Sequence, residues 1–258
     1  MIDLHSHILA GVDDGAQSLE ESIAILKTME AKGVRQVAAT SHYPLYNDRD
    51  YLKFIQEKIE LLREKSKEEK LQIEIISGSE VLISRDTAEL LYNNELLTIN
   101  DTDYILLETR LNNFPSYFES LVHDIKAMGY QIIIAHPERY TYIQKDYDKI
   151  YKWVEELELK LMFNSSSLLG KHGKKAKETA EKLLEFGLCH LMASDTHRIN
   201  KRTFSLDQGL QKAESLKTGS SQFFQNNAQS VINNQPLNSM EIKREEPSLV
   251  NKIFSFII

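Results

Sequence analysis

The sequence Asp3-Leu4-His5-Ser6-His7 closes a short apolar run near the start of the chain with a His-x-His pair. On a regular strand, side chains two residues apart point to the same face, so the rings of His5 and His7 can bind one metal ion. Alone, the pair is a weak signal, since two polar residues on a solvent-facing strand give the same pattern. The interpretation therefore depends on further ligands elsewhere in the chain.

Further residues of metal-binding type occur along the chain, most of them directly after a segment of β character. They are Asp14, His42, Glu80, Glu108, His136, Asp195 and His197. Imidazole and carboxylate groups are ligands that suit zinc, manganese and iron. Because so many of these residues fall at strand ends, we predict that they share one metal site.

Alternating strand-like and helix-like segments predict a parallel α/β sheet. Seven strand candidates favour a distorted (β/α)7 barrel, since closure brings all the strand ends to one rim and places the metal site at the C-terminal rim. An open doubly wound sheet is the weaker alternative, because it gathers fewer of these residues and the chain has no Gly-rich phosphate loop.

Local patterns predict the individual elements. The capping box Ser18-Leu19-Glu20-Glu21 predicts the start of a helix that stops near Gly33. Further helices are expected at 51–67, 87–92, 117–128, around Trp153 and at 174–186. Strands are expected at 34–40, 71–76, 104–107, 131–135, 160–163 and 188–193.

Length and composition favour one large soluble domain. The chain has 258 residues, 41% of them hydrophobic, and a formal charge of −7, which argues against a nucleic-acid surface. With a single cysteine, no recognisable signal peptide and no apolar run long enough for a membrane span, we expect a cytoplasmic protein. We expect a domain over residues 1–235 and a tail over 236–258. The tail docks on the body or, alternatively, forms an oligomer or membrane-surface contact.

Several motifs together resemble the polymerase-and-histidinol-phosphatase (PHP) superfamily. The likeness is closest to the tyrosine-protein phosphatases of bacterial capsule and exopolysaccharide loci, of the CpsB/YwqE type. It covers about residues 1 to 235 in the family's order. The matching motifs are Met1-Ile2-Asp3-Leu4-His5-Ser6-His7-Ile8, Val12-Asp13-Asp14-Gly15, Thr40-Ser41-His42, Gly78-Ser79-Glu80, Leu107-Glu108, Ala135-His136-Pro137-Glu138-Arg139-Tyr140, Asn164-Ser165-Ser166 and Ala193-Ser194-Asp195-Thr196-His197.

The resemblance implies a PHP barrel with three divalent metal ions. It assigns the first ion to His5, His7, Glu80 and Asp195. The second ion is shared through Glu80 and held also by Glu108 and His136, and the third is held by Asp14, His42 and His197. The family implies manganese, with iron or zinc as alternatives, because ligand type alone does not choose among them.

The implied reaction is hydrolysis of a phosphomonoester by a metal-bridging hydroxide. Arg139, three residues after His136, is expected to bind the phosphate, and Arg198 and Arg202 are further candidates. The plainer interpretation of Arg139 is a surface salt bridge with Glu138.

The leading functional hypothesis is an enzyme that dephosphorylates a bacterial tyrosine kinase controlling polysaccharide export. The kinase is implied only by the resemblance. A histidinol-phosphatase-like enzyme for small phosphomonoesters is the first alternative. The negative net charge of the chain argues against a PHP phosphodiesterase. The complete set of candidate ligands argues against a metal-stabilised module without catalytic activity. The sequence leaves the oligomeric state open.

Other reactive residues receive structural interpretations. Cys189 is expected to be a buried strand residue, because a cysteine-dependent tyrosine phosphatase needs arginine six positions later, where Asp195 stands. His172 is expected in a solvated basic loop, which could alternatively contact an acidic substrate, and His190 is expected on a strand beside the core. Tyr43, Tyr46 and Tyr140 follow metal-type residues, and either rim packing or stacking on an aryl substrate explains them.

Overall fold

The computed structural model describes residues 1–43 and 51–244. Within them, the strands are β1 (Ile2–Ser6), β2 (Gln36–Ala39), β3 (His42–Tyr43), β4 (Glu74–Ser77), β5 (Glu80–Leu82), β6 (Tyr104–Glu108), β7 (Gln131–Ala135), β8 (Lys160–Asn164) and β9 (Leu191–Ala193). The α-helices there are α1 (Leu19–Ala31), α2 (Tyr51–Glu68), α3 (Thr87–Tyr92), α4 (Phe118–Ala127), α5 (Asp148–Tyr151), α6 (Ser165–Leu168), α7 (Lys174–Glu185), α8 (Leu206–Leu216) and α9 (Ser220–Ile232).

The strands form two parallel sheets, so the predicted α/β class is confirmed. One sheet has the order β1-β2-β4 and the other β3-β5-β6-β7-β8-β9. The chain passes from β2 to β3, and from β4 to β5, across only two residues each. Beyond β9, the amide of Asp195 donates to the carbonyl of His5 (2.9 Å) and that of His7 donates to the carbonyl of Thr196 (2.8 Å). The last strand segment is therefore joined to the first.

Both faces of the sheets are buried, as expected for parallel strands covered by helices. On β7, Ile133 packs in a cluster with Leu106 and Met162 of the neighbouring strands. Its neighbours Ile132 and Ile134 belong to a second, larger cluster that includes the helix residues. Alternate residues along one strand thus pack on opposite sides, and apolar burial on both fixes its position.

Helices α8 and α9 were not predicted from the sequence. In α8, Leu206, Gly209, Leu210 and Ala213 are buried at helical spacing, but Gly209 adds no apolar side chain to the pattern. Gly209 stands there because a Cβ atom would lie 2.3 Å from Cβ of Ser165. A close helix contact, which only the folded structure reveals, explains this glycine.

The described part of the tail packs on the body. The amide of Lys243 donates to the carbonyl of Phe186 (2.9 Å), and the hydroxyl of Tyr151 donates to the carbonyl of Lys243 (2.7 Å). At Gly187, a Cβ atom would lie 2.3 Å from the carbonyl oxygen of Glu241. The apolar stretch 249–258 and Tyr46 lie outside the described residues.

Across residues 1–43 and 51–244, none of the helices combines the length and apolar character needed to cross a membrane.

Candidate metal centre

Strand register brings the predicted ligands together. His42 lies opposite Glu80 where β3 pairs with β5, and Leu82 lies opposite Glu108 where β5 pairs with β6. His42 and Glu80 are the first residues of β3 and β5, and Glu108 is the last residue of β6, so the pairing register of these strands brings the three side chains together. The Glu80 and Glu108 side chains thereby approach histidines that are distant in sequence.

Glu80 lies at the middle of the cluster and contacts four histidines. Its Oε1 is 2.8 Å from Nε2 of His136 and 3.2 Å from Nε2 of His5. Its Oε2 is 3.0 Å from Nδ1 of His42 and 3.3 Å from Nε2 of His7. Both oxygens of the Glu80 carboxylate therefore face candidate metal ligands.

Asp195 closes one side of the cluster. Its Oδ1 is 3.4 Å from Nε2 of His7 and 3.6 Å from Nε2 of His5. Its Oδ2 accepts hydrogen bonds from Arg139 (Nη1, 3.2 Å) and from Arg202. The carboxylate thus faces histidines with one oxygen and guanidinium groups with the other.

Glu108 and Asp14 complete the set. Glu108 lies 3.2 Å from Nδ1 of His42 and 3.5 Å from Nε2 of His136. Asp14 Oδ1 lies 3.2 Å from Nε2 of His197 and 3.7 Å from Nε2 of His42. All nine residues predicted as ligands therefore lie in one continuous cluster.

The three predicted arginines are placed differently. Arg139 and Arg202 reach the cluster through Asp195, whereas Arg198 donates to both carboxylate oxygens of Glu21 on α1 (3.1 and 3.2 Å). Glu138 is fully buried and accepts from Ser167 Oγ at 2.6 Å. The alternative interpretation of Arg139 as a surface partner of Glu138 is therefore wrong.

Unpaired buried atoms show that the donor set fits metal ions. Nε2 of His5, Nε2 of His7, Oε2 of Glu80 and Oδ1 of Asp195 are buried and face one another, but none of them makes a well-aligned hydrogen bond. Burying such atoms unpaired is costly, and a cation removes this cost. Groups with ligand atoms within 4.8 Å of one another include His5-His7-Glu80, His5-His136-Asp195, His42-Glu80-Glu108 and His7-Asp14-His42-His197.

Histidines and carboxylates of the cluster shift one another's pKa values. Burial alone raises a carboxyl pKa, but the neighbouring histidines, His5 first, hold the pKa of Glu80 and of Asp195 well below the usual range. Burial alone lowers the pKa of His42, but Glu108 and Glu80 raise it to about 10. Burial and the neighbouring His7 lower the pKa of His197 to about 2. Because a ligating imidazole must be neutral, metal binding at His42 would release its proton.

Two ligand candidates have left-handed backbone conformations that side chains rarely adopt. The φ angle is +36° at His136 and +53° at Asp195. Such conformations cost on the order of 1–3 kcal/mol each and cluster at functional sites. Each residue directly or nearly follows a buried strand, where this turn points its side chain into the cluster.

Sequence reasoning missed residues that orient the ligands. Asp13 accepts from Nδ1 of His7 (2.8 Å) and from the amide of His42 (2.9 Å). Nδ1 of His5 is hydrogen-bonded to Thr40 Oγ1 (2.7 Å). Partners on the second ring nitrogen fix the orientation of ligating histidines. Asp13 was detectable from its place beside Asp14, whereas Thr40 depends on the pairing of β1 with β2.

The structure confirms part of what was predicted for Cys189, His190 and His172, which were not assigned to the metal site. Cys189 is buried, and burial raises its thiol pKa to about 12, which argues against a nucleophile. The prediction that Cys189 and His190 lie on a strand is wrong, because β9 begins at Leu191. His190 is buried, with Nδ1 accepting from the amide of Leu161 (3.2 Å). His172 is half-buried and hydrogen-bonded to Ser166 Oγ (2.9 Å), in a loop whose residues Lys171 and Gly173 are exposed as predicted.

These features define an α/β protein with a cluster of histidine and carboxylate side chains that are candidate metal ligands. A family model described as "Capsular polysaccharide synthesis, CpsB/CapC" matches residues 1–233. The chain belongs to this family, and its predicted likeness to CpsB/YwqE-type phosphatases is confirmed.

Individual relatives agree with this assignment. The chain is 33% identical to the tyrosine-protein phosphatase YwqE of Bacillus subtilis (strain 168) over 210 residues, covering 81% of this chain and 82% of YwqE. It is 31% identical to the tyrosine-protein phosphatase CpsB of Streptococcus pneumoniae over 207 residues, covering 78% of this chain and 85% of that CpsB. The fold matches a crystal structure from work on YwqE and CpsB, described as metal-dependent tyrosine phosphatases, with a TM-score of 0.89 and 31% identity. That match covers 96% of this chain and 100% of the other.

Proposed function

We propose that this protein is a metal-dependent protein-tyrosine phosphatase. The observation that carries the proposal is the buried cluster around Glu80, whose unpaired ligand atoms fit metal ions. Family membership supports the same activity, since the relatives are named tyrosine-protein phosphatases. The expected substrate is phosphotyrosine in a polypeptide.

Three divalent ions, with manganese as the preferred metal and iron or zinc as alternatives, would be held by the nine clustered residues. We keep the allotment implied by family resemblance, in which Glu80 bridges and Asp14, His42 and His197 share one ion. His136 contacts both Glu80 and Glu108, which supports the assignment of one ion to these three residues. When bound, the ions would activate water and neutralise phosphoryl oxygens.

Arg139 and Arg202 would bind and orient the phosphate. In the structure both donate to Oδ2 of Asp195, and Nη1 of Arg202 lies 3.8 Å from Asp14. Their planar guanidinium groups match phosphate oxygens geometrically, so a bound phosphate would exchange part of these contacts. Arg198, held by Glu21, is the weakest of the three candidates.

The architecture that supports this site is a distorted barrel of seven strands. Combining β2 with β3 and β4 with β5 reduces the nine segments to seven strands, and the contacts between β9 and β1 support closure. Closure would place the metal centre at the C-terminal rim. The 1–235 domain boundary and the cytoplasmic location stay predictions.

The partner is proposed to be a tyrosine-phosphorylated bacterial kinase of capsule or exopolysaccharide synthesis. The family description, which refers to capsular polysaccharide synthesis, supports this context. No nucleic-acid partner is proposed, because the formal charge is −7.

A rate comparison on the manganese-loaded protein tests the function. A tyrosine-phosphorylated peptide and histidinol phosphate are supplied in parallel, each with a chelator control. Preference for the peptide, abolished by the chelator, is the expected result. Preference for histidinol phosphate would reassign the protein to small phosphomonoesters, and turnover of neither substrate would contradict both assignments.

A further inference from the structure

A cleft of about 410 Å³ lies between the loop after β5, the loop after β6 and the start of α4. Its walls include Arg85, Arg110 and Tyr117, together with Ile83 and Thr109. The catalytic residues proposed above do not line it. The cleft is therefore a separate feature with two cationic side chains.

The cleft adjoins the metal centre through Glu108. The amide of Ile83, on one wall, donates to the carbonyl of Glu108 (2.9 Å). Arg110 follows Glu108 by two residues, so their Cα atoms lie within about 7 Å. The amide of Thr109, between them, donates to the hydroxyl of Tyr140 (3.0 Å), which fixes this wall against the loop that carries Arg139.

The two arginines of the cleft have no anionic partner within residues 1–43 and 51–244. Arg85 lies over the ring of Tyr117, with its Cζ atom 4.7 Å from the ring centroid, and Tyr117 donates to the carbonyl of Ile83 (3.3 Å). This contact positions the Arg85 guanidinium and leaves its N–H groups free. Both arginines are exposed, whereas Arg139 and Arg202 are each paired with a carboxylate.

From this arrangement we propose that the cleft binds a carboxylate side chain of the polypeptide that carries the phosphotyrosine. The inference rests on the proposed phosphatase function. Guanidinium groups bind carboxylates with paired hydrogen bonds, and two of them offset the repulsion between an acidic peptide and a chain of formal charge −7. An extended peptide advances about 3.4 Å per residue, so the acidic residue would lie one to three positions from the phosphotyrosine.

The test compares three substrates on the manganese-loaded protein. They are a phosphotyrosine peptide flanked by glutamates, the same peptide flanked by glutamines, and p-nitrophenyl phosphate. Arg85→Ala and Arg110→Ala should each lower kcat/KM for the glutamate peptide about three- to fivefold, mainly through KM, as expected for an exposed ion pair. The glutamine peptide and p-nitrophenyl phosphate should be unaffected. Arg35→Ala, an exposed arginine just before β2, is the matched control.

Charge reversal gives the sharpest version of the test. The double variant Arg85→Glu, Arg110→Glu should lose the preference for the glutamate peptide and prefer a lysine-flanked one. Equal losses on all three substrates would show a general structural role and overturn the proposal, as would unchanged rates on all of them.

Failure of the proposed phosphatase function can be distinguished from failure of the cleft proposal. In that case the wild-type protein hydrolyses none of the substrates, and fluorescence anisotropy of labelled peptides decides the cleft proposal instead. Tighter binding of the glutamate peptide than of the glutamine peptide, lost in the double variant, would support it. Equal binding would overturn it.

Discussion

Among the three candidate arginines, we expect phosphate binding to depend most on Arg139. It lies 18% exposed at the edge of the cluster and donates to Asp195, so it reaches the centre without being a ligand candidate. We expect Arg139→Ala to lower kcat about 10²- to 10³-fold, as for loss of one preorganised donor, while metal content stays the same. Steady-state kinetics with metal analysis of the same sample measure both quantities. Arg198→Ala, which removes the same charge from a site bound to Glu21, should have a much smaller effect.

Unchanged kinetics in Arg139→Ala would remove this residue from the site. A parallel loss of metal would instead assign it a structural part in the cluster.

Asp13 acts through the histidines that it orients. Its carboxylate accepts a hydrogen bond from Nδ1 of His7. Burial alone would raise the pKa of the Asp13 carboxyl, but the contact with His7 outweighs burial and holds this pKa well below its usual range. We expect Asp13→Asn to weaken manganese binding about 10- to 100-fold, because outer partners set ligand orientation and basicity. Activity titrated against manganese should recover at high metal concentration.

Asp86→Asn is the matched control for Asp13, since its exposed side chain makes no capping hydrogen bond at the start of α3. Equal manganese affinity in the two variants would contradict the orienting role of Asp13.

At the scale of elements, the contact between α6 and α8 yields a test of packing against helix propensity. Alanine in place of Gly209 should favour the helix by about 1 kcal/mol. Its Cβ would, however, lie 2.3 Å from Cβ and 2.9 Å from Cα of Ser165. Because backbone cannot move aside cheaply, we expect Gly209→Ala to lower the free energy of unfolding by about 1–3 kcal/mol, measured in urea.

Gln208 is exposed on the same helix, so Gln208→Ala changes helix propensity without changing the packing of α8 against α6. Stabilisation of both variants would show that α8 does not depend on this close approach.

The sequence predicted those elements whose pattern is local. β7 and α3 have the predicted limits, and Ser18 accepts from the amide of Glu21 (3.3 Å), as the capping box requires. Glu21 departs from that motif, because its carboxylate binds Arg198, which is 177 residues away. Long-range partners of this kind explain why the elements after Asp195 and the orientation of Arg198 were not predictable from local spacing.

At the scale of the whole molecule, metal removal tests whether the centre also stabilises the fold. Ions that bind only the folded state at a hundred times their Kd add about 2.7 kcal/mol. For a chain of this size we expect chelation to lower Tm by roughly 5–10 °C and to abolish hydrolysis, while the far-ultraviolet circular dichroism is retained. Calorimetry and circular dichroism of the same sample provide the check. Loss of secondary structure on chelation would make the metal a requirement for folding.

We expect stability towards acid to depend on His190, a group away from the candidate metal centre. Burial, with the nearby Lys160, lowers its pKa to about 3 from an unfolded value near 6.5. Between these two values the unfolded chain binds the proton and the folded chain does not, so stability falls as pH falls below about 6.5. At pH 4.5 this loss amounts to about 2–3 kcal/mol.

His190→Asn measures this contribution, because the asparagine oxygen can still accept the amide of Leu161. In urea unfolding of the chelated protein, the variant should lose about 2–3 kcal/mol less than the wild type between pH 7 and pH 4.5. The clustered histidines and carboxylates are the same in both proteins, so their effects cancel in the difference. His123→Asn, at an exposed position on α4, should follow the wild type. Identical acid profiles for His190→Asn and the wild type would mean that the buried imidazole does not carry this part of the pH dependence.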